Sequence, residues 1–278
     1  LPIGMFLLLL TAVGPLLAWR KTSVESLKRN FLWPAVAAVA TAVLLIALGM
    51  RPWQDSAVFY SLMAISLSVL VTATVASEFI RGGRVIAEKT GQNLLGSMVQ
   101  LTRRNTRRYG GYVVHFGVVV IVIGIAGSAF NQQNEAPLGM GDRMSIGPYT
   151  LVGRSYTQDD NPNYASELAV VDVYKGGGNK IDTMYPERRM YKASGQTATM
   201  VANRSTPKED LYLVYAGRNE ENGPPIIRAH LNPLVMWIWV GVYVVIFGTL
   251  LALVPNATAV TLRQPVREPA AAAVEAGD

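Results

Sequence analysis

Five apolar runs divide the chain, at roughly 2–18, 32–49, 57–79, 112–130 and 234–254, each near the ~20 residues that cross a bilayer as a helix. The short connections between them are basic. Arg20, Lys21, Lys28 and Arg29 lie between the first and second runs. Arg81, Arg84, Lys89, Arg103, Arg104, Arg107 and Arg108 lie between the third and fourth. Lysine and arginine concentrate on the cytoplasmic side of spans, so both connections are expected inside. The fourth span then runs outward and the fifth returns. The pattern predicts an α-helical membrane protein with about five transmembrane helices and an inserted β-rich extracytoplasmic domain.

Domain organisation follows from the same pattern: four spans in 1–130, a β-rich domain in 131–232, a fifth span in 233–255 and a tail in 256–278. The Pro-, Ala- and Glu-rich tail has the composition of a disordered segment. Near 92–107, Leu94, Met98 and Leu101 recur at i, i+4, i+7 ahead of a run of arginines. That predicts an amphipathic helix on the inner membrane surface. In the inserted region Tyr149–Tyr156, Glu167–Tyr174, Thr197–Asn203 and Leu211–Ala216 read as strands, and Gly176-Gly177-Gly178-Asn179 as a hairpin turn. The acidic pairs Asp159-Asp160 and Glu220-Glu221 sit among Asn, Pro and Gly, as solvated loop tips do. This region carries no motif of nucleotide binding, nucleophilic catalysis or metal ligation, so docking is its expected role.

Composition narrows the chemistry. Apolar residues make up 50% and charged residues 16%, with a mean hydropathy of +0.25. With no cysteine there can be no disulfide, thiolate nucleophile or iron–sulfur centre. The net charge of +6 is gathered beside the apolar runs, which points to the lipid bilayer as partner and to no nucleic acid.

Only two histidines are present. His115 lies inside the fourth run, and ionisable side chains at membrane depth mark functional sites. Gly110, Gly117 and Gly124 recur at heptad spacing and offer a neighbouring helix a close approach. His115 is about 200° around the helix from Gly117, while Gly111 shares its face and leaves room beside it. Such room suits a flat ring such as haem, and it equally suits tight packing of a hydrogen-bonded histidine. His230, just before Asn232-Pro233 at the outer mouth of the last span, reads as an exposed histidine without a ligand role.

The stretch Arg107-Arg108-Tyr109-Gly110-Gly111-Tyr112-Val113-Val114-His115-Phe116-Gly117 resembles the late transmembrane histidine segment of the CcmF/NrfE family of membrane haem lyases. Three further segments agree in order: Gly14-Pro15-Leu16-Leu17-Ala18-Trp19-Arg20, Tyr185-Pro186-Glu187-Arg188-Arg189, and Asn232-Pro233-Leu234-Val235-Met236-Trp237-Ile238-Trp239. The resemblance implies a role in cytochrome c maturation in the bacterial inner membrane, with residues 131–232 periplasmic. It implies partners: the haem chaperone CcmE, a CcmH-type thiol protein and apocytochrome c. It also implies a transmembrane haem b with His115 as one axial ligand to the iron and Gly111 beside it. The second ligand is then expected outside this chain.

The family's tryptophan-rich haem-handling segment and its flanking histidines are missing from these residues. Because the chain opens at Leu1 directly into an apolar run, the expected reading is the C-terminal part of a longer protein. Its upstream half would be a further partner, and this part alone would be inactive. A cofactor-free scaffold or permease-like subunit with a periplasmic docking domain is the alternative.

Overall fold

The computed structural model describes residues 2–13, 24–176, 178–218 and 223–256. Helices α1 (Pro2–Val13) and α2 (Val24–Ala47) lead into α3 (Ser56–Thr90), α4 (Leu94–Arg104) and α5 (Thr106–Ala126). Among the described residues three helices are long and apolar enough to cross a membrane: Ser56–Thr90, Thr106–Phe130 and Val235–Leu253. The apolar part of α2, Phe31–Ala47, is shorter. The first expected run ends, like the 257–278 tail, outside the described residues.

The basic connection before the fourth run is helical rather than a loop. Asp55 caps α3, its carboxylate accepting from the Ala57 N–H at 2.8 Å, and Gly91 stops it in the left-handed conformation at φ 69°. At 35 residues α3 is about 52 Å long, against ~30 Å of hydrocarbon. Its last turns therefore stand beyond the apolar layer and carry Arg81, Arg84 and Lys89.

Helix α4 is capped by Asn93, whose side chain accepts from the Gly96 N–H at 2.8 Å, and it folds back on those turns. A methyl placed on Gly83 would come 2.9 Å from Met98 and 3.2 Å from Leu94, and one on Gly82 would meet Leu101. The Leu94–Met98–Leu101 stripe, expected on the membrane surface, thus packs on α3. Exposed Leu95 and Val99 are the apolar side chains left on its free flank. Asn105 breaks the expected 92–107 helix and opens α5.

Helix α5 packs antiparallel against α6 (Val235–Leu253) through glycines on both sides. Methyls at Gly110, Gly117 and Gly124 would lie 2.6, 2.8 and 2.9 Å from the backbone nitrogens of Ala252, Val245 and Ile238. Methyls at Gly241 and Gly248 would lie 2.7 Å from the Gly117 carbonyl and the Val114 nitrogen. Backbone meets backbone, which larger side chains would forbid. At the N-terminal end of α5 Asn256 supplies a cap from outside the helix: its side-chain oxygen accepts from the Thr106 N–H at 2.9 Å.

A 3-10 turn, Gly127–Phe130, carries α5 into β1 (Gln132–Pro137), which pairs antiparallel with β10 (Pro225–Pro233), the strand that feeds α6. Between them run β2 (Arg143–Ile146), β3 (Tyr149–Asp160), β4 (Tyr164–Lys175), β5 (Asn179–Met184), β6 (Glu187–Tyr191), β7 (Thr197–Met200), β8 (Ala202–Ser205) and β9 (Glu209–Arg218). One sheet has the order β1-β10-β9-β8. The other has β2-β3-β4-β6-β7, with β5 also paired to β4. Leu151, Val171 and Val173 of one sheet bury against Leu213, Ile227 and Ala229 of the other, all within one core. The domain is a β-sandwich inserted between two membrane helices, and the alternation of apolar positions is its physical basis.

The run Thr197–Asn203, expected as one strand, divides at Val201 into β7 and β8, which belong to different sheets. The β4–β5 hairpin falls at the predicted glycines, with Gly177 itself outside the described residues.

The helix contact predicts a sharp contrast between neighbouring glycines. Gly117→Leu must force α5 and α6 apart and should lower stability by about 1–3 kcal/mol. Gly111→Ala, where a methyl meets nothing within 4 Å, should leave stability unchanged or raise it by up to about 1 kcal/mol. Thermal unfolding of the detergent-extracted protein measures both.

Candidate functional site

The glycine stripe commits one side of α5 to α6, and the other side opens on a groove toward α1. Arg108, Gly111, Tyr112 and His115 stand at i, i+3, i+4 and i+7 and so share a face. With Leu7, Leu10 and Thr11 of α1 they line a space of about 640 Å³. The Thr11 hydroxyl donates to the Leu8 carbonyl of its own helix, which leaves the α1 wall essentially apolar. Gly111 has no neighbour within 4 Å of where a Cβ would stand, so a notch lies one turn from His115.

The buried Nδ1 of His115 makes no hydrogen bond. That nitrogen faces the protein interior, which leaves the other ring nitrogen as the one able to meet a group in the groove. An open notch, apolar walls and an imidazole lining the space fit one face of a haem, for which His115 would be the one axial ligand among the described residues. His230 cannot be the second. It lies in β10 with its ring 6.1 Å from that of Tyr212, more than about 16 Å away along the α5 axis. It is half-buried in a strand, not loose at the mouth of the last span. No cluster of three or more metal-binding side chains occurs among the described residues.

Sequence reasoning missed the polar end of this groove. Arg108 Nη2 contacts Glu78 Oε2 of α3 at 2.7 Å, and Arg108 Nε donates to Tyr112 Oη at 2.9 Å. Arg81 reaches the other Glu78 oxygen at 3.6 Å. In the sequence Arg108 is a basic flank of the span and part of the segment that ends in His115-Phe116-Gly117, and its seven-residue offset from His115 puts the two on one face.

The sandwich segments singled out earlier prove architectural. In Tyr185–Arg189, Glu187 and Arg189 form a two-point ion pair at 2.7 Å, and the Arg189 guanidinium lies 4.8 Å from the Tyr164 ring centroid. Asn232–Trp239 forms the turn from β10 into α6. Leu234 takes φ 64° there, and Trp237 Nε1 donates to the Pro207 carbonyl at 2.8 Å. Asp159 and Asp160 end β3, a strand rather than a loop tip, and line a shallow groove of about 420 Å³ with Glu167, Arg188 and Met190. Gly14–Arg20 and Glu220-Glu221 lie outside the described residues.

A polytopic membrane protein with a β-sandwich set between its last two described helices is the class these features define. Residues 129–233 match the family described as the CcmF C-terminal beta-sandwich. The chain is 30% identical over 274 residues to a Pseudomonas aeruginosa protein named cytochrome c-type biogenesis protein CcmF, covering 96% of the chain and 38% of that relative. A Pseudomonas fluorescens protein of the same name is 29% identical over 271 residues, with the same coverage. A solved structure named cytochrome c heme lyase CcmF superposes with a TM-score of 0.73 at 23% identity, covering 91% of this chain and 39% of that one, and so shares the fold. The chain is thus similar to CcmF proteins over nearly its whole length, and its sandwich matches their C-terminal domain. It spans about 38% of the length of these curated relatives.

The ion pairs of the sandwich give it a pH dependence. Burial pushes the Asp172 carboxyl up, but hydrogen bonds from Lys180 and Thr183 outweigh this and hold it below its ordinary value of 3.8. Hydrogen bonding from Arg189 likewise lowers Glu187. Folded values below unfolded ones mean that the unfolded chain binds more protons in between. Their contribution is therefore complete above the ordinary carboxylate range and lost as pH falls through the depressed folded values. Thermal stability should drop below about pH 4, and Asp172→Asn should flatten that slope while lowering stability at neutral pH.

Proposed function

We propose that this chain acts in cytochrome c maturation as the C-terminal part of a membrane haem lyase, with His115 as an axial ligand of a transmembrane b-type haem. The observation that carries the reading is the place of His115 on an apolar groove beside the open notch at Gly111. The relatives' names, cytochrome c-type biogenesis protein and heme lyase, supply the process. When bound, the haem would supply one-electron chemistry. The chain's own residues orient the imidazole on a helix locked by glycine packing and surround it with apolar side chains. The second axial ligand, and the residues that handle the haem being attached, come from the part of the longer relatives that this chain does not match.

The sandwich serves as a docking domain on the periplasmic side. The basic ends of α3 and α4 favour the inner side of the membrane, and α5 carries the chain across from there. CcmE, a CcmH-type thiol protein and apocytochrome c are its proposed partners. A single cysteine at exposed Ser205 should react with impermeant thiol reagents from the periplasm, while one at exposed Lys89 should not. The reverse labelling would invert the topology.

For the haem, the test is spectroscopic. In the complex purified from its native membrane, His115→Ala should lose the low-spin imidazole spectrum and stop cytochrome c maturation. Gly111→Leu, which fills the notch without touching α6, should reduce haem content in a folded protein. His230→Ala should do neither. An unchanged low-spin spectrum in folded His115→Ala protein would favour the cofactor-free scaffold.

A further inference from the structure

We propose that Arg108 is the carboxylate-binding residue of the His115 groove, receiving a propionate of the tetrapyrrole whose iron His115 ligates. The proposal rests on the haem reading above and adds a second anchoring point to it. Arg108 and His115 line the same groove, with Gly111 and Tyr112 between them on one face of α5. Their seven-residue separation is about 10.5 Å along the helix axis. A macrocycle lying edgewise along α5, over the Gly111 notch, would set its iron at one end of this face and its acidic side chains at the other.

The charge balance points the same way. Two guanidiniums, Arg108 and Arg81, share the single carboxylate of Glu78, whose side chain is only 11% exposed. Tyr112 contributes a neutral hydroxyl, so the cluster carries one uncompensated positive charge at the edge of an apolar groove. A single anion would neutralise it. Glu78 and Tyr112 engage Nη2 and Nε, which fixes the plane of the guanidinium, while Nη1 makes no hydrogen bond among the described residues. The Arg108 side chain is 50% exposed, so a ligand in the groove can reach it. A planar fork of donors suits a carboxylate better than the point charge of lysine does.

The test compares ferric haem with its dimethyl ester, which has the same ring and iron but no carboxylates. Each is titrated by Soret absorbance into the complex purified from its native membrane and stripped of haem. Haem should bind at least about tenfold more tightly than the ester, the worth of a charged hydrogen bond. Arg108→Gln should bring that ratio near one while keeping the imidazole-ligated spectrum, and Arg108→Lys should restore part of it. Equal binding of haem and ester to the unmodified protein overturns the proposal, and this comparison decides even where Arg108→Gln does not fold. If His115→Ala still abolishes the spectrum in that event, the haem reading stands and only the role of Arg108 falls. The absence of any His115-dependent spectrum overturns both.

Discussion

The backbone contact between α5 and α6 is the constraint on which the rest of this molecule depends. Association of helices in lipid gains little from burying apolar surface, because the acyl chains are as apolar as leucine. What remains is close packing, and five glycines supply it: Gly110, Gly117 and Gly124 from one helix, Gly241 and Gly248 from the other. The contact fixes the rotation of α5 about its axis. With the glycine side committed to α6, the face of Arg108, Gly111, Tyr112 and His115 has to open toward α1. The orientation of the candidate ligand is thus set by residues that never touch it.

The same contact continues outside the membrane. The antiparallel helices become the antiparallel strands β1 and β10 within a few residues, with Gln132 opposite Leu231. Small polar contacts fasten both ends of this arrangement. Asn256 caps α5 at its N-terminal end, and at the sandwich end the Ser61 hydroxyl donates to the Ala126 carbonyl at 2.6 Å while Trp237 bonds the Pro207 carbonyl. Each satisfies a backbone group at a helix end or turn, where the intrahelical ladder leaves donors or acceptors without partners.

Parts of this architecture were plain in the sequence because their signals are local. The heptad glycines, the apolar runs and the Gly176–Asn179 turn needed no knowledge of partners. Gly91, Asn93 and Asn105 were stop and start signals that would have turned the basic connection into helix ends, had they been weighed against the charge pattern. β1, the polar sequence Gln132–Pro137, resisted reading for a physical reason. It is an edge strand with nearly every side chain exposed, and its partner lies almost a hundred residues away. β10 does alternate, with Ile227, Ala229 and Leu231 inward, but prolines at both ends obscure the pattern. At the groove, the histidine and its glycine were legible from spacing alone. The Arg108–Glu78 pair was not, since it joins two helices across thirty residues of chain, and no local spacing relates its members.

The pairing of the first strand of the sandwich with the last has a consequence for the order in which the protein is made. β10 sits between β1 and β9, so the four-stranded sheet lacks an interior member until almost the whole inserted domain has been synthesised. The other sheet draws its strands from Arg143 to Met200 and can form earlier in synthesis, with half of its core exposed. Closure of that core by Ile227, Ala229 and Leu231 coincides with delivery of the segment that becomes α6. Completion of the domain and insertion of the last described helix are therefore steps of a single event, a late long-range pairing of the kind that slows folding.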